Sequence, residues 1–307
     1  MGKKSKRNKT IDFTLEEGQD YLKGALSYSE DLKMEDLINK NLIGDTFKSL
    51  DLIEDGSIDL IIVDPPYNLR KNYHGNLFSK QSMDDYRDYT HKWMDLVIPK
   101  LKEEGTIYVC CDWQSSMVIG SVLSEKLLIQ NRISWQREKG RGAKSNWKNG
   151  MEDIWFATKS KDYTFNVDAV KVRRRVLAPY KKNGQPKDWK ETREGNFRDT
   201  YPSNFWDDIT IPFWSMKENT AHPTQKPEKL IAKLILASSK EGDLILDPFM
   251  GSGTTSVVAK KLARNYIGIE QNPLYVAWGE KRLEMAEEDK TIQGYEDNIF
   301  WERNTSK

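Results

Sequence analysis

The run Ile58–Val63 is apolar at every position except Asp59, and it constrains the fold more than any other stretch of the chain. A strand that is apolar on successive residues has no solvent face, so it belongs inside a parallel sheet covered on both sides. Parallel strands need crossover connections, and the downstream pattern supplies them. Over residues 82–101 the positions Tyr86, Tyr89, Trp93, Leu96 and Val97 recur at helical spacing; Gly105 restarts the chain, and residues 106–111 read as the next strand. Residues 129–135 and 154–158 read as further strands. Towards the C-terminus the pattern predicts helices over 228–238 and 254–262, and strands over 244–246 and 266–269. Such alternation predicts an α/β chain with a doubly wound, mostly parallel sheet.

Other segments depart from this rhythm. Residues 11–40 read as polar helical segments leading into the first core strand. From residue 166 to 220 the period fades, and Pro179, Gly184, Pro186, Gly195, Pro202 and Pro212 punctuate basic and aromatic residues. The expected organisation is a basic tail over 1–10, a first half over 11–165, an inserted recognition module over 166–220 and a second half over 221–307. The basic character of the module begins nearer residue 132.

Asp64-Pro65-Pro66-Tyr67 follows the Ile58–Val63 run directly. Strand tips of open parallel sheets are where such folds bind ligands. Proline fixes φ and biases the preceding residue towards extended geometry, so the Asp64 side chain and the Pro65 carbonyl take set directions. Two acceptors can then face one amine. The exocyclic amine of a purine delocalises its lone pair into the ring and is a poor nucleophile until acceptors hold its hydrogens. Tyr67 supplies a ring on which the base can stack. A plain strand-ending turn would use the same residues, because proline-rich turns are common there.

A second constellation, Asp247-Pro248-Phe249-Met250-Gly251-Ser252-Gly253-Thr254-Thr255, follows a strand and opens a helix. Its glycines let backbone bend tightly and approach a ligand, as at nucleotide-binding turns. Glu270 ends the following strand, where an acidic side chain grips ribose hydroxyls. The third glycine of a dinucleotide site and the Gly-Lys-Ser/Thr of a phosphate loop are both missing. A cofactor with one ribose and no pyrophosphate, such as S-adenosylmethionine, fits this pattern best. A glycine-assisted helix-packing turn is the alternative.

Composition narrows the partners. With 37% hydrophobic and 31% charged residues over 307, the chain is expected to be a globular cytoplasmic protein. No apolar run approaches the roughly 20 residues of a membrane span. Neighbouring Cys110 and Cys111 cannot build a disulfide framework, and three histidines without ligand spacing predict no metal site. The net charge of +1 conceals a basic segment: residues 132–200 hold 18 Lys and Arg against 9 Asp and Glu. Trp135, Trp147, Trp155, Tyr163, Tyr180, Trp189, Tyr201, Trp206 and Trp214 lie among or just beyond these charges. Cations neutralise phosphates while rings stack on bases, so a nucleic acid suits the segment. A solvated basic surface would look the same by charge alone.

Taken together, D-P-P-Y at 64–67, His222-Pro223-Thr224-Gln225-Lys226-Pro227 and D-P-F-M-G-S-G-T-T at 247–255 resemble the beta group of DNA amino-methyltransferases, in that group's order. The resemblance spans residues 41–283 and implies a seven-stranded methyltransferase-type sheet with an inserted target-recognition module. The aspartate of D-P-P-Y points to N6 of adenine, because cytosine-N4 enzymes of this kind usually carry serine there. By resemblance, Asp64, Pro65, Pro66 and Tyr67 are catalytic. Asp45, His222, Thr224, Gln225, Lys226, Asp247, Phe249, Gly251, Ser252, Gly253, Thr254 and Glu270 bind S-adenosylmethionine. Arg137, Lys139, Arg141, Lys144, Arg173, Arg174 and Arg175 are the candidate DNA contacts. W-Q-R-E-K-G-R-G at 135–142, N-W-K-N-G-M-E-D at 146–153 and Y-P-S-N-F-W-D-D at 201–208 are similar to the second adenine methyltransferases of GATC restriction systems, the DpnA type. That likeness implies GATC as target in double-stranded DNA, tolerance of single strands, and room for a homodimer and for a cognate restriction endonuclease. Methylation of RNA or a protein amide, or a silent DNA-binding relative, are the alternatives. The silent relative should have lost Asp64 or the glycine pair, and both are intact.

Overall fold

A computed structural model describes residues 5, 7–69, 71–73, 76–137, 145–177, 180–192 and 195–302. In chain order its elements begin with β1 (Leu26–Ser27), α1 (Met34–Leu37), β2 (Lys40–Ile43), α2 (Thr46–Ser49), β3 (Ile58–Val63) and the hairpin β4 (Lys71–Tyr73) and β5 (Asn76–Phe78). Next come α3 (Met83–Val97), β6 (Leu101–Cys111), α4 (Trp113–Lys126), β7 (Leu128–Gln136) and β8 (Met151–Thr158). The middle of the chain forms β9 (Val172–Arg175), the hairpin β10 (Lys181–Lys182) and β11 (Gln185–Pro186), β12 (Lys190–Thr192), β13 (Gly195–Thr200) and β14 (Phe205–Trp206). The chain ends with α5 (Glu228–Ser238), β15 (Leu244–Asp247), α6 (Thr254–Lys261), β16 (Asn265–Glu270), α7 (Pro273–Glu288), β17 (Tyr295–Glu296) and β18 (Ile299–Trp301).

The main sheet runs β1-β2-β16-β15-β3-β6-β8-β7-β14. β8 is antiparallel to both of its neighbours, and all other neighbouring pairs are parallel. The expected seven strands are therefore nine, because the two-residue strands β1 and β14 extend the edges. From β3 the chain crosses through α3 to β6 on one side, and from β15 through α6 to β16 on the other. β3 and β15 are themselves paired, Leu60 beside Ile245 and Ile61 beside Leu246. This reversal opens a crevice at their carboxyl ends.

Alternating side chains of β3 serve two cores. Leu60 and Ile62 pack with Leu230, Leu234, Val257, Val258 and Leu283 from α5, α6 and α7. Ile61 and Val63 pack with Tyr86, Trp93, Val97, Ile119 and Leu123 from α3 and α4. Each such side chain contributes roughly 1.5–3 kcal/mol by leaving water. Asp59, the polar exception in the run, stitches the strand starts together. It accepts from the Leu244 amide at 2.9 Å and from Lys102 Nζ at 2.7 Å.

Two expectations need correction. Residues 11–40 are mostly turns, with a 3-10 turn at Tyr21–Gly24, one short α-helix at Met34–Leu37 and the edge strand β1, because their scattered apolar residues Leu26, Leu32, Met34 and Leu37 pack onto the core singly and form no stripe. A second sheet, β12-β13-β9-β18-β17, takes its last two strands from the C-terminal residues, so it extends beyond 166–220. β18 lies parallel to β9, and Phe300 joins Val172, Trp206 and Leu230 in one core. Among the described residues no helix is long and apolar enough to cross a membrane.

Candidate active site

The carboxyl ends of β3 and β15 border a cavity of about 280 Å³. It is lined by Asp45, Asp64, Pro65, Pro66, Tyr67, His222, Thr224, Gln225, Lys226, Asp247, Phe249, Gly251, Ser252, Thr254 and Glu270. The three motifs thus share one space. Gly253 is the exception: at φ 75° it starts α6, and a Cβ there would meet the Gly279 Cα of α7 at 3.1 Å. It brings two helices together behind the cavity and does not line it.

The glycine turn is organised by two carboxylates. Asp247 accepts from the Phe249 amide at 3.1 Å and from Thr255 Oγ1 at 2.5 Å. Glu270 accepts from the Gly251 amide at 3.1 Å and the Asn272 amide at 2.8 Å. Burial pushes both carboxyls up to about 7, against the downward pull of these donors. Gly251 sits at φ 53°, and a Cβ there would come within 3.0 Å of His222 Nε2. Asp45 caps α2 by accepting from the Lys48 amide at 3.3 Å, and Thr46 Oγ1 donates to the Pro248 carbonyl at 2.6 Å. That bond ties the Asp45 turn to the glycine turn.

The His222–Pro227 stretch crosses between the two motifs. The His222 ring packs edge-on to Tyr275, with centroids 4.4 Å apart. The Gln225 amide is committed to its own turn, accepting from the Thr220 backbone and hydroxyl and donating to the Glu218 carbonyl. Lys226 points into the cavity, with Nζ 2.6 Å from Asp64 Oδ2, 3.1 Å from the Tyr67 hydroxyl and 3.3 Å from Glu152 Oε2. Burial alone would lower its ammonium pKa, but Asp64 and Glu152 raise it above the usual lysine range. The Tyr67 hydroxyl donates to Asp64 Oδ1 at 2.7 Å, and burial beside these acids pushes its phenol well up.

Glu152 was not foreseen. It is buried on β8, contacts Lys226 and pairs with Arg137. It lies within N-W-K-N-G-M-E-D at 146–153, yet nothing local distinguishes it from a surface acid; only the pairing of β6 with β8 brings it to the site. Phe47, Tyr89, Cys110, Asn272 and Tyr275 also line the cavity. Tyr89 was visible only as part of a helical stripe.

The candidate DNA contacts do not form one set. Lys139, Arg141 and Lys144 lie outside the described residues. Arg137 is engaged with buried Glu152. Arg173 binds Asp199 with two bonds of 2.7 and 2.8 Å across the second sheet, so its charge serves that sheet. Arg174 has looser partners in Glu302 at 3.8 Å and Asp207 at 4.0 Å, and Arg175 is exposed. The aromatic series also divides. Trp135, Trp189 and Trp206 are buried, each with its indole N–H on a carbonyl, whereas Trp147, Tyr180, Tyr201 and Trp214 are exposed.

A family model for DNA methylases of the N6/N4 type matches residues 58–281. Type II methyltransferase M.HpaI of Haemophilus parainfluenzae is 35% identical over 246 residues, covering 79% of this chain and 73% of that protein. DNA adenine methyltransferase YhdJ of Escherichia coli (strain K12) is 36% identical over 250 residues, with coverages of 79% and 82%. Type II methyltransferase M2.DpnII of Streptococcus pneumoniae is 32% identical over 273 residues, with coverages of 81% and 92%. Among solved structures, the PvuII cytosine-N4-specific DNA methyltransferase shares the fold with a TM-score of 0.60 at 20% identity, over 81% of this chain and 90% of that one. The M1.HpyAVI–SAM complex does so with a TM-score of 0.51 at 24% identity, over 79% and 98%.

Proposed function

The chain belongs to the N6/N4 family of DNA methylases, and on that premise we propose that it transfers a methyl group from S-adenosylmethionine to N6 of adenine in DNA. The observation that carries the reading is the shared cavity, in which Asp64-Pro65-Pro66-Tyr67 faces the glycine turn and Glu270.

The residues present fit the cofactor. Gly251 leaves room that a Cβ would take, Ser252 Oγ is buried with no hydrogen-bond partner, and the Glu270 carboxylate keeps lone-pair capacity beyond its backbone donors. When bound, S-adenosylmethionine supplies a methyl group on a sulfonium that leaves as a neutral thioether. Of the residues that line the cavity, Glu270 would accept from the ribose hydroxyls of the cofactor, and Asp45 and Phe249 would hold its adenine. On the other side, Tyr67 stacks under an adenine turned out of its strand, while Asp64 and the Pro65 carbonyl accept the hydrogens of the amine. This concentrates the lone pair towards the donor, and Asp64 offsets the positive charge that grows on nitrogen. After the new bond forms, the nitrogen passes one proton through the Asp64 carboxylate to water. Turning the base out of a duplex costs a few kcal/mol, which a single strand largely avoids.

Aspartate at position 64 and the likeness to a protein named an adenine methyltransferase support adenine over cytosine. The resemblance of W-Q-R-E-K-G-R-G, N-W-K-N-G-M-E-D and Y-P-S-N-F-W-D-D to the second adenine methyltransferases of GATC restriction systems supports GATC and activity on single strands, and the likeness to the Type II methyltransferase M2.DpnII supports work beside a restriction endonuclease. Sequencing modified adenines in DNA from cells expressing the chain tests this. GATC-confined methylation is expected; methylation at another sequence sinks the site, and methyl transfer only to RNA or protein sinks the substrate.

A further inference from the structure

Both oxygens of the Asp64 carboxylate are engaged by the chain's own side chains: Oδ2 by the Lys226 ammonium and Oδ1 by the Tyr67 hydroxyl. The same ammonium stands 5.4 Å from the centroid of the Tyr67 ring. A cation of the chain itself therefore occupies the place where the proposed function needs the target amine, against Asp64 and over the stacking ring. Methyl transfer builds positive charge on the amine nitrogen, and an ammonium fixed on Asp64 opposes it by cancelling the carboxylate charge that should offset it.

The ammonium has a second seat already in contact. Glu152 Oε2 is 3.3 Å from Nζ, on a side chain as buried as Lys226 itself. Unpaired buried charge is costly, so a lysine here needs a carboxylate at every stage. Its backbone is held: the Lys226 carbonyl accepts from Thr254 Oγ1 at 3.1 Å, and the neighbouring Gln225 is bound on both ends of its amide. Only the side-chain end is free to change partner, and Arg137 steadies the acceptor from the other side.

We propose that Lys226 exchanges between two carboxylates, closing Asp64 in the free protein and moving onto Glu152 when the base enters, so that Glu152 is a positioning residue that clears Asp64 for the amine. This rests on the methyl-transfer reading above. Single-turnover methylation of duplex DNA tests it, with S-adenosylmethionine affinity measured alongside. Glu152→Gln should slow transfer by about tenfold or more with little change in cofactor affinity, and Glu152→Asp, which keeps the charge, should retain most of the rate. Adding Lys226→Met to Glu152→Gln should recover about fivefold or more, because the ammonium that blocks Asp64 is gone. A Glu152 that only braces the fold gives no such recovery. A double variant no faster than Glu152→Gln, or a loss confined to cofactor affinity, overturns the exchange while leaving the function standing. No transfer to DNA by the unsubstituted chain overturns both. A structure of the unsubstituted chain with DNA and S-adenosylhomocysteine reads the same event without substitution. Nζ should then pair with Glu152 and lie beyond the ~4 Å ion-pair distance from Asp64; Nζ still on Asp64 contradicts the exchange.

Discussion

At the scale of single residues, burial holds two carboxyls of the cavity, Asp247 and Glu270, at about 7. Burial raises Glu270 from 4.5 to about 7. In a folded chain with a raised carboxyl pKa, the stability from that group is fully present below its unfolded value and is lost as pH rises through about 7. On the proposed placement of the cofactor, ribose hydroxyls would donate to the ionised form, so cofactor binding should expel this proton. S-adenosylmethionine should therefore bind about tenfold more weakly one unit below the Glu270 pKa than above it. Titration calorimetry from pH 6 to 8 checks this, and a flat profile, or one unchanged in Glu270→Gln, contradicts it. Gly251→Trp tests the placement directly: a side chain at φ 53° projects towards His222 and into the cofactor space. Cofactor affinity should fall by about a hundredfold or more, and an unchanged dissociation constant would refute the assignment. That Asp64, Tyr67, Gly251 and Glu270 lie at strand ends, where they line the cavity, was legible in the sequence because each ends or follows a strand in a local pattern. Glu152 was not, since its role depends on strands that meet only in three dimensions.

The same divide appears among elements. The strands at 58–63, 106–111, 154–158 and 244–246 could be read from apolar runs, and the helix over 228–238 from its apolar content. α4 and α7 carry no such mark. In α7, Tyr275 through Gly279 are all buried in succession, and in α4 Val118, Ile119 and Gly120 are, so neither helix has the one-sided stripe that periodicity detects. Helix α7 also explains why the glycine turn has two glycines with different duties. Gly251 opens the cavity, and Gly253 lets α6 and α7 touch through backbone. Gly253→Ala adds a Cβ at φ 75°, at a strain cost of roughly 1–2 kcal/mol before any shift of α7. Thermal unfolding should show a drop of a few degrees in Tm. An unchanged Tm would mean that the two helices do not depend on that contact.

Across the whole molecule, the basic segment divides between structure and exposed surface. Arg137 and Arg173 are tied to carboxylates, and three of the tryptophans belong to the cores. Net charge could not separate these uses, because a cation in an ion pair and one awaiting a phosphate count equally in a sequence. Trp147, 94% exposed, is the strongest stacking candidate among the described residues. Trp147→Ala should weaken single-stranded DNA binding by about 1–3 kcal/mol without touching cofactor affinity. Fluorescence anisotropy reads this, and equal binding would remove Trp147 from the DNA surface. The central claim is that the ends of β3 and β15 bring an adenine amine to a sulfonium methyl. Its most direct test is mass spectrometry of nucleosides from DNA incubated with S-adenosylmethionine and either the unsubstituted chain or Asp64→Ala. The account predicts N6-methyladenine from the first and about a hundredfold less from the second. N4-methylcytosine as the product, or N6-methyladenine made equally well without Asp64, would contradict it.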